Sequence, residues 1–231
     1  MDDVTTARVV PREPQYAPAF NEPPVTLGPM ASHSYRHDPK HLGFTLARYK
    51  FVVKMLSGLH SVAEFGCGDG VGAAVVRQSV GELRLFDFDP HCVAAANKMV
   101  PNSATVMDIS EPTVATALRF DAVYMIDVIE HLDSRSERHA MRNIQRMLHP
   151  PGVVQPPGVL IVGTPSLESQ AYASPQSKAG HVNCRSGDAL KSDMLKYFNT
   201  VFLFGMNDEM LHVGFAPMCH YLFAVCVGVR Q

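Results

Sequence analysis

The sequence predicts an α/β fold with a mostly parallel sheet, and three observations support this. First, patterns typical of strands and helices alternate about five times between residues 60 and 165, which favours parallel strands joined by crossover helices. Second, residues 120–132 contain a near-continuous apolar run, as expected of a strand that is buried on both faces. Third, an apolar run ends at Glu64 and is followed by a loop with glycine at every second position. Because 46% of the 231 residues are hydrophobic, the chain can bury the core of one such domain.

The N-terminal part of the chain differs from the rest. Residues 1–30 are rich in proline and polar side chains and lack periodicity, so we expect a disordered segment there. Residues 31–231 then form a single domain. Apolar side chains at helical spacing predict that its first long helix covers residues 42–56.

The loop after the first predicted strand carries the strongest functional signal. Glu64-Phe-Gly-Cys-Gly-Asp-Gly70 lets the backbone pass close to a ligand, because glycine permits positive φ and has no Cβ. This segment resembles the first motif of class I S-adenosylmethionine (SAM) dependent methyltransferases. The resemblance covers residues 60–166 well. It implies a Rossmann-like sheet of about seven strands with an antiparallel C-terminal hairpin, helices on both faces, and a lid formed by the first long helix. It also implies SAM as the cofactor, S-adenosylhomocysteine as its product, and cofactor contacts from Glu64, Gly66 and Gly68.

The resemblance requires an acidic residue at the end of the second strand, about 20 residues after the loop. Asp87 follows Gly66 by 21 positions, and its carboxylate can accept hydrogen bonds from both ribose hydroxyls. Phe88 is expected beside it in the cofactor site. Asp89 and Pro90 then predict the start of a helix, with Asp89 as its N-cap.

Two further segments complete the predicted cofactor site. After the third strand, Asp108 is expected to accept a hydrogen bond from the adenine amino group, and Ile109 to pack on the ring. A helix-capping turn is the alternative interpretation of Asp108. The sequence Asp-Val-Ile-Glu-His-Leu at residues 127–132 resembles the post-strand motif of ubiquinone-biosynthesis type methyltransferases, which adds Asp127 to the cofactor residues.

A nicotinamide-dinucleotide enzyme is the competing interpretation of the glycine loop, and two features argue against it. Glu64 precedes the first glycine, and the loop lacks the G-x-G-x-x-G register at the usual place. SAM carries no phosphate, so its loop need not direct a helix N-terminus at a pyrophosphate.

The second half of the chain continues the alternation and then changes character. A proline-rich insertion at residues 150–158 replaces what is usually one simple turn, and we expect an exposed loop there. The other predicted elements are helices over residues 134–148 and 186–197, and strands over residues 158–166, 200–205 and 220–227.

The composition limits the kinds of binding partner that we expect. The net charge of −2 offers no electrostatic footprint for nucleic acid, and the five cysteines form neither a disulfide framework nor a metal pattern. The sequence shows no signal peptide and no apolar run long enough to span a membrane. We therefore expect a cytoplasmic protein with a small-molecule acceptor and without a membrane or nucleic-acid partner; a homodimer is compatible with these features.

Methyl transfer is an in-line displacement at carbon in which a neutral thioether leaves, so the enzyme must align the acceptor and, for a hydroxyl, remove its proton. Histidine is the natural base near neutral pH, and His131 and His181 are the catalytic candidates. A structural, hydrogen-bonded histidine is the alternative for each. Polar loops and the low aromatic content of 8% favour O-methylation of a small polar metabolite or a sugar or glycan precursor.

Two other functions stay open. Asp127-x-x-Glu130-His131 with the distant His181 resembles the metal-binding set of small-RNA 2′-O-methyltransferases, which would imply a divalent cation beside a ribose hydroxyl of RNA. The first acid is Asp rather than Glu, and the residues around His181 differ, so we assign no metal. A SAM-binding enzyme of this fold with other chemistry also fits. A non-catalytic homologue is disfavoured, because the glycine loop and Asp87 are intact.

Overall fold

The computed structural model describes residues 8–114, 117–150 and 157–230. Its centre is one sheet of eight strands in the order β3-β2-β1-β4-β5-β8-β6-β7. The strands are β1 Ser61–Phe65, β2 Glu82–Asp87, β3 Ala104–Val106, β4 Ala122–Ile126, β5 Val159–Pro165, β6 Phe198–Asn207, β7 Met210–His212 and β8 Tyr221–Val229.

The first five strands are parallel, and the last three are antiparallel to their neighbours. This confirms the predicted fold class, including the crossovers and the antiparallel C-terminal part. The described residues contain eight strands rather than about seven, because the predicted connection after β6 contains the short strand β7. Asp208 adopts a positive φ of 51° between them, which allows the tight reversal that β7 needs.

Helices cover both faces of the sheet, and the side chains of the strands alternate between the two cores. Ala63 and Val123 belong to the core under the helices at residues 134–147 and 187–194, whereas Val62 and Tyr124 belong to the core under the helices between residues 39 and 99. The helices are α1 Ala17–Asn21, α2 Pro29–His37, α3 Pro39–Leu56, α4 Val71–Arg77, α5 Pro90–Met99, α6 Ser134–Met147, α7 Pro175–Gly180 and α8 Gly187–Met194, with 3-10 turns at Pro14–Tyr16, Ile129–His131, Glu168–Tyr172 and Ala216–Met218.

The helix starts follow the capping chemistry of the sequence. Asp89 accepts from the backbone N–H of His91 at 2.8 Å and precedes Pro90, as predicted. Helix α6 also lies where it was predicted, and its N-cap is Asp133, whose side chain accepts from the N–H groups of Arg135 and Ser136.

The ends and the insertion add little to the core. From residue 8 onward the N-terminal segment forms a 3-10 turn and α1, neither with a buried residue, and its disorder stays a prediction. The predicted first long helix is α3, which begins at Pro39 and ends at Leu56. Residues 151–156 of the proline-rich insertion lie outside the described residues. None of the helices in the described ranges has both the length and the hydropathy needed to cross a bilayer.

Candidate functional site

Two cavities adjoin at the carboxyl ends of the parallel strands, where open α/β sheets bind ligands. The first, the loop cavity, has a volume of about 660 Å³ and lies between the glycine loop and helices α2 and α3. Such a volume is typical of small-molecule sites. The predicted site residues that line it are Gly66, Gly68, Asp87, Phe88, Asp108, Ile109, Asp127 and His131.

The glycine loop forms the floor of the loop cavity. Gly66 has a φ of 77°, and a Cβ at this position would lie 2.3 Å from a side-chain carbon of Val128. Its N–H donates to the carbonyl of Phe86 at 2.8 Å, which ties the loop to the end of β2. Glycine is therefore required at Gly66 by both the backbone conformation and the space, and the loop exposes bare backbone to the cavity.

Asp87 joins this loop to the second strand. One carboxylate oxygen accepts from the N–H of Gly68 at 2.9 Å, and the other accepts from the N–H of Asp89 at 3.0 Å. A carboxylate oxygen has two lone pairs, so each retains acceptor capacity for a ligand. The side chain is rigidly held and lines the cavity.

The next residues bound the same cavity. Asp108 accepts from both the N–H and the hydroxyl of Ser110, which forms a turn, and the residue lines the cavity. Among the described residues no helix begins at this turn, so it does not cap one. Ile109 is buried, whereas Phe88 is 71% exposed. An apolar wall and a carboxylate thus lie at the end of the loop cavity beyond Asp87.

Glu64 is separated from the loop cavity. Its side chain is fully buried, and its two carboxylate oxygens accept from the hydroxyls of Tyr49 and Tyr124, each at 2.8 Å. Burial raises the pKa of Glu64 to about 8, although the two hydroxyl contacts oppose the shift. The carboxyl connects α3 to β1 and β4, and it is not among the lining residues.

Helix α2 covers the glycine loop. The N–H of Ala31 donates to the carboxylate of Asp69 at 2.8 Å, and Gly28 approaches so closely that a Cβ would lie 2.3 Å from the Cβ of Asp69. Met30 and Ala31 line the loop cavity. One wall of this cavity is therefore an N-terminal helix that the sequence did not predict.

The second cavity, the histidine cavity, has a volume of about 530 Å³. It shares His41, Asp127 and His131 with the loop cavity, so the two cavities adjoin. The segment after β5 forms its outer wall, as expected for a loop at the carboxyl end of the sheet. Residues from this segment that line it are Ser169, Gln170, Tyr172, Ala173, Ser177 and His181.

Asp127 lies at the junction of the cavities in an uncommon backbone conformation, with a φ of 58°. Its Oδ2 accepts from Nη1 of Arg48 at 2.6 Å, and Oδ1 is buried without a partner among the described residues. The guanidinium carbon of Arg48 lies 4.0 Å above the ring of Tyr221. The backbone strain of a non-glycine residue at such a positive φ costs about 1–3 kcal/mol and is concentrated at functional sites.

His131 and His181 are brought together, with ring centroids 5.1 Å apart. Nδ1 of His131 lies 3.0 Å from the carbonyl oxygen of Gly180, and Nδ1 of His181 lies 2.9 Å from the amide oxygen of Gln170. A nitrogen facing such an oxygen carries the proton, so the neutral form of either ring has its lone pair at Nε2. Burial, followed by the neighbouring His131, lowers the pKa of His181.

Glu130 completes this cluster. It is fully buried, its Oε2 accepts from the hydroxyl of Thr164 at 3.0 Å, and its Oε1 has no partner among the described residues. Burial and then Asp127 raise the pKa of its carboxyl to about 8. One potential ligand atom from each of Glu130, His131 and His181 falls within a 4.8 Å cluster, which is compact enough for a cation.

Sequence reasoning missed the partners of these residues. Arg48 and Asp127 are 79 positions apart, and Gln170 lies in a 3-10 turn whose sequence shows no recognisable pattern. Helical spacing predicted the helix that carries Tyr49, but nothing local connects this residue to Glu64 or Tyr124. Only the position of each partner in the folded sheet could have identified it.

A family model described as a methyltransferase domain matches residues 45–197. The match includes the predicted cofactor residues and both histidines.

Comparison with solved structures gives the same fold. The methyltransferase domain of bacterial CtHen1-C is 17% identical, with a TM-score of 0.62 over 80% of this chain and 99% of that one. The N-methyltransferase NodS from Bradyrhizobium japonicum, in complex with S-adenosylhomocysteine, is 18% identical, with a TM-score of 0.55 over 78% of this chain and 85% of that one. DhpI in its S-adenosylhomocysteine complex is 14% identical, with a TM-score of 0.60 over 87% of this chain and 92% of that one. A search of curated proteins found no match.

Proposed function

The chain belongs to the methyltransferase-domain family of class I SAM-dependent enzymes, and from this we propose that it methylates a hydroxyl oxygen of a small polar acceptor such as a sugar or a glycan precursor. The observation that carries the proposal is the junction of the two cavities. A cofactor-sized cavity shares Asp127 and His131 with a second cavity, which is lined by a histidine pair.

The groups that line the loop cavity match those of SAM. Asp87 offers two fixed carboxylate oxygens with spare lone pairs for the ribose hydroxyls, and Asp108 and Ile109 offer an acceptor and an apolar face for the adenine. The backbone of Gly66 and Gly68 lines the cavity at positive φ, and a Cβ at either position would lie against Val128 or Met30. Phe88 and Asp127 complete the residues that we assign to the cofactor. Glu64 acts from beneath the loop, by holding α3 against the sheet.

When bound, SAM supplies an electrophilic methyl group. The residues of the histidine cavity have two tasks: to orient the acceptor hydroxyl, and to accept its proton as the oxygen bonds to carbon. His131 and His181 are suited to the second task, since their Nδ1 atoms are engaged and Nε2 is the free lone pair. The lowered pKa of His181 keeps that ring neutral, and hence able to accept a proton, at neutral pH.

The test is a methyl-transfer screen against sugars and polyols, with amines as the competing class. Replacement of the true base by Gln should lower kcat about 10²–10⁴-fold and leave SAM affinity nearly unchanged. His131→Gln and His181→Gln are the test variants. His91→Gln is the matched control, because His91 is exposed and lies outside both cavities. Wild-type turnover in both test variants would contradict the base assignment, and a product methylated on nitrogen would contradict the acceptor class.

A second candidate function is metal-assisted transfer to a ribose 2′-hydroxyl. It is favoured by the compact cluster of Glu130, His131 and His181, and by the unpartnered buried Oε1 of Glu130. Carboxylate and imidazole ligands suit a divalent cation such as Mn²⁺. This candidate predicts that EDTA abolishes transfer to RNA, that Mn²⁺ restores it, and that Glu130→Ala is as damaging as His181→Ala. Full activity after exhaustive EDTA treatment would exclude it.

A further inference from the structure

Arg48 is the only lysine or arginine among the described residues that line the two cavities. It lies on α3 at the histidine cavity, and its side chain is only 15% exposed. Burial of a cation is costly unless acceptors surround it. The acceptors that Arg48 has in the protein, and those that it lacks, therefore indicate which chemical group this cavity binds.

Within the described residues, the guanidinium has one hydrogen-bonding partner and one stacking partner. Nη1 donates to Asp127, and the plane lies over the ring of Tyr221. A guanidinium has five N–H donors in a fixed fork, so four are left without a protein acceptor. These donors belong to a side chain that lines an open cavity.

Arg185 shows how many acceptors an arginine of similar burial has in the same chain, although its Nη1 is buried without a partner among the described residues. It is 12% exposed, pairs with the carboxylates of Glu137 and Asp193, and donates to the side-chain oxygen of Asn183 at 3.0 Å. One guanidinium in this protein thus accommodates two carboxylates. By this comparison Arg48 lacks its second anion.

We propose that Arg48 binds an anionic group, a carboxylate or a phosphate, on the methyl acceptor itself. The inference rests on the proposed function and narrows its substrate class to hydroxylated compounds that carry an acid group, such as a sugar acid or a sugar phosphate. The planar fork matches the paired oxygens of either anion. Asp127 and Tyr221 hold the guanidinium in place before the acceptor arrives, which lowers the entropic cost of binding.

The remainder of the cavity suits such a compound. Its volume of about 530 Å³ is within the range of small-molecule sites. Ser169, Gln170 and Ser177 contribute hydroxyl and amide groups to the wall, which can bind neutral hydroxyls of the acceptor. An anion at Arg48 then fixes one end of the molecule, and these groups fix the rest.

The binding test follows the arginine side-chain N–H signals by NMR in the protein saturated with S-adenosylhomocysteine, during titration with inorganic phosphate or malonate. Wild type and Lys50→Gln should show a saturable shift of the Arg48 signal, since Lys50 is an exposed cation on the same helix outside both cavities. Arg48→Gln and Arg48→Lys lack this signal, so their affinity for the anion is compared with that of wild type by calorimetry. Both variants, the second of which keeps the charge beside Asp127, should bind the anion about tenfold or more weakly. A response to phosphate alone or to malonate alone identifies the anion. A wild-type protein in which neither anion shifts the Arg48 signal would overturn the proposal.

A second measurement tests whether Arg48 binds the acceptor or the cofactor, because SAM also carries a carboxylate. Calorimetry compares S-adenosylhomocysteine with 5′-methylthioadenosine, which lacks the amino-acid part. We expect Arg48→Gln to leave the ratio of the two affinities unchanged. If the variant weakens only S-adenosylhomocysteine, Arg48 serves the cofactor and the proposal fails. Neither measurement requires turnover, so its result is independent of whether the methylated atom is oxygen.

Discussion

Replacement of Glu64 by Gln is expected to stabilise the protein at neutral pH and to reduce the pH dependence of its unfolding. Burial raises the pKa of Glu64 to about 8 from an ordinary value of 4.5. Between these values the folded protein retains a proton that the unfolded chain has released, so the free energy of unfolding falls as pH rises. A proton that is bound in the folded protein but not in the unfolded chain lowers the free energy of unfolding by about 1.4 kcal/mol for each unit that the pH rises. Glu64 should therefore lower the free energy of unfolding by about 3 kcal/mol between about pH 5.5 and 7.5. Gln carries no titrating proton and keeps a similar shape between the two tyrosines.

The assay is urea unfolding of wild type and Glu64→Gln at both ends of this pH interval. The difference between the two proteins isolates Glu64 from all other titrating groups. Glu82→Gln is the control, because Glu82 is an exposed acid on the adjacent strand, paired with Arg84. Its pH profile should match that of wild type. Parallel profiles for wild type and Glu64→Gln would refute the reasoning, since they would mean that Glu64 is ionised in the folded protein.

Three further predictions concern the site. Asp87→Ala should weaken SAM binding about 10–100-fold in calorimetry, because it removes charge-assisted ribose contacts and frees the N–H of Gly68; equal affinities would exclude the ribose role. S-adenosylhomocysteine should slow amide exchange in α2 and in the first half of α3, as a lid would, and protection confined to residues 66–70 would exclude that closure. Gln170→Ala should lower kcat about tenfold and alter its pH profile without a change in SAM affinity, because the tautomer of His181 is no longer fixed; an unchanged profile would leave Gln170 a purely structural residue.

The sequence was most informative where function depends on neighbouring strand ends. The glycine loop and Asp87 follow β1 and β2, which are adjacent in a parallel sheet, so a spacing along the chain predicts proximity in space. The same logic applies to His131 and His181, which follow β4 and β5 and meet at one edge. Crossover topology therefore made much of the site predictable before any contact was known.

The sequence was least informative where a single side chain reaches across layers. A buried acid after an apolar run fits a ligand contact as well as it fits a pair of tyrosines, and only packing decides that Glu64 meets Tyr49 and Tyr124. The pairing of Arg48 with Asp127 depends on how α3 crosses the sheet. Strand β7 escaped prediction because three residues are too few for a periodic pattern.

The position of β8 has a consequence for how the sheet assembles. This strand pairs with β5 on one side and with β6 on the other, although β6 precedes it in the chain. Strands β6 and β7 therefore cannot join the parallel half of the sheet until β8 has paired with β5. We expect β6 and β7 to dock as one antiparallel unit. The contacts that close the sheet are non-local, which slows folding. A chain arrested before β8 would present the edge of β5 to solvent and to other chains, so aggregation during synthesis should depend on how quickly this strand arrives.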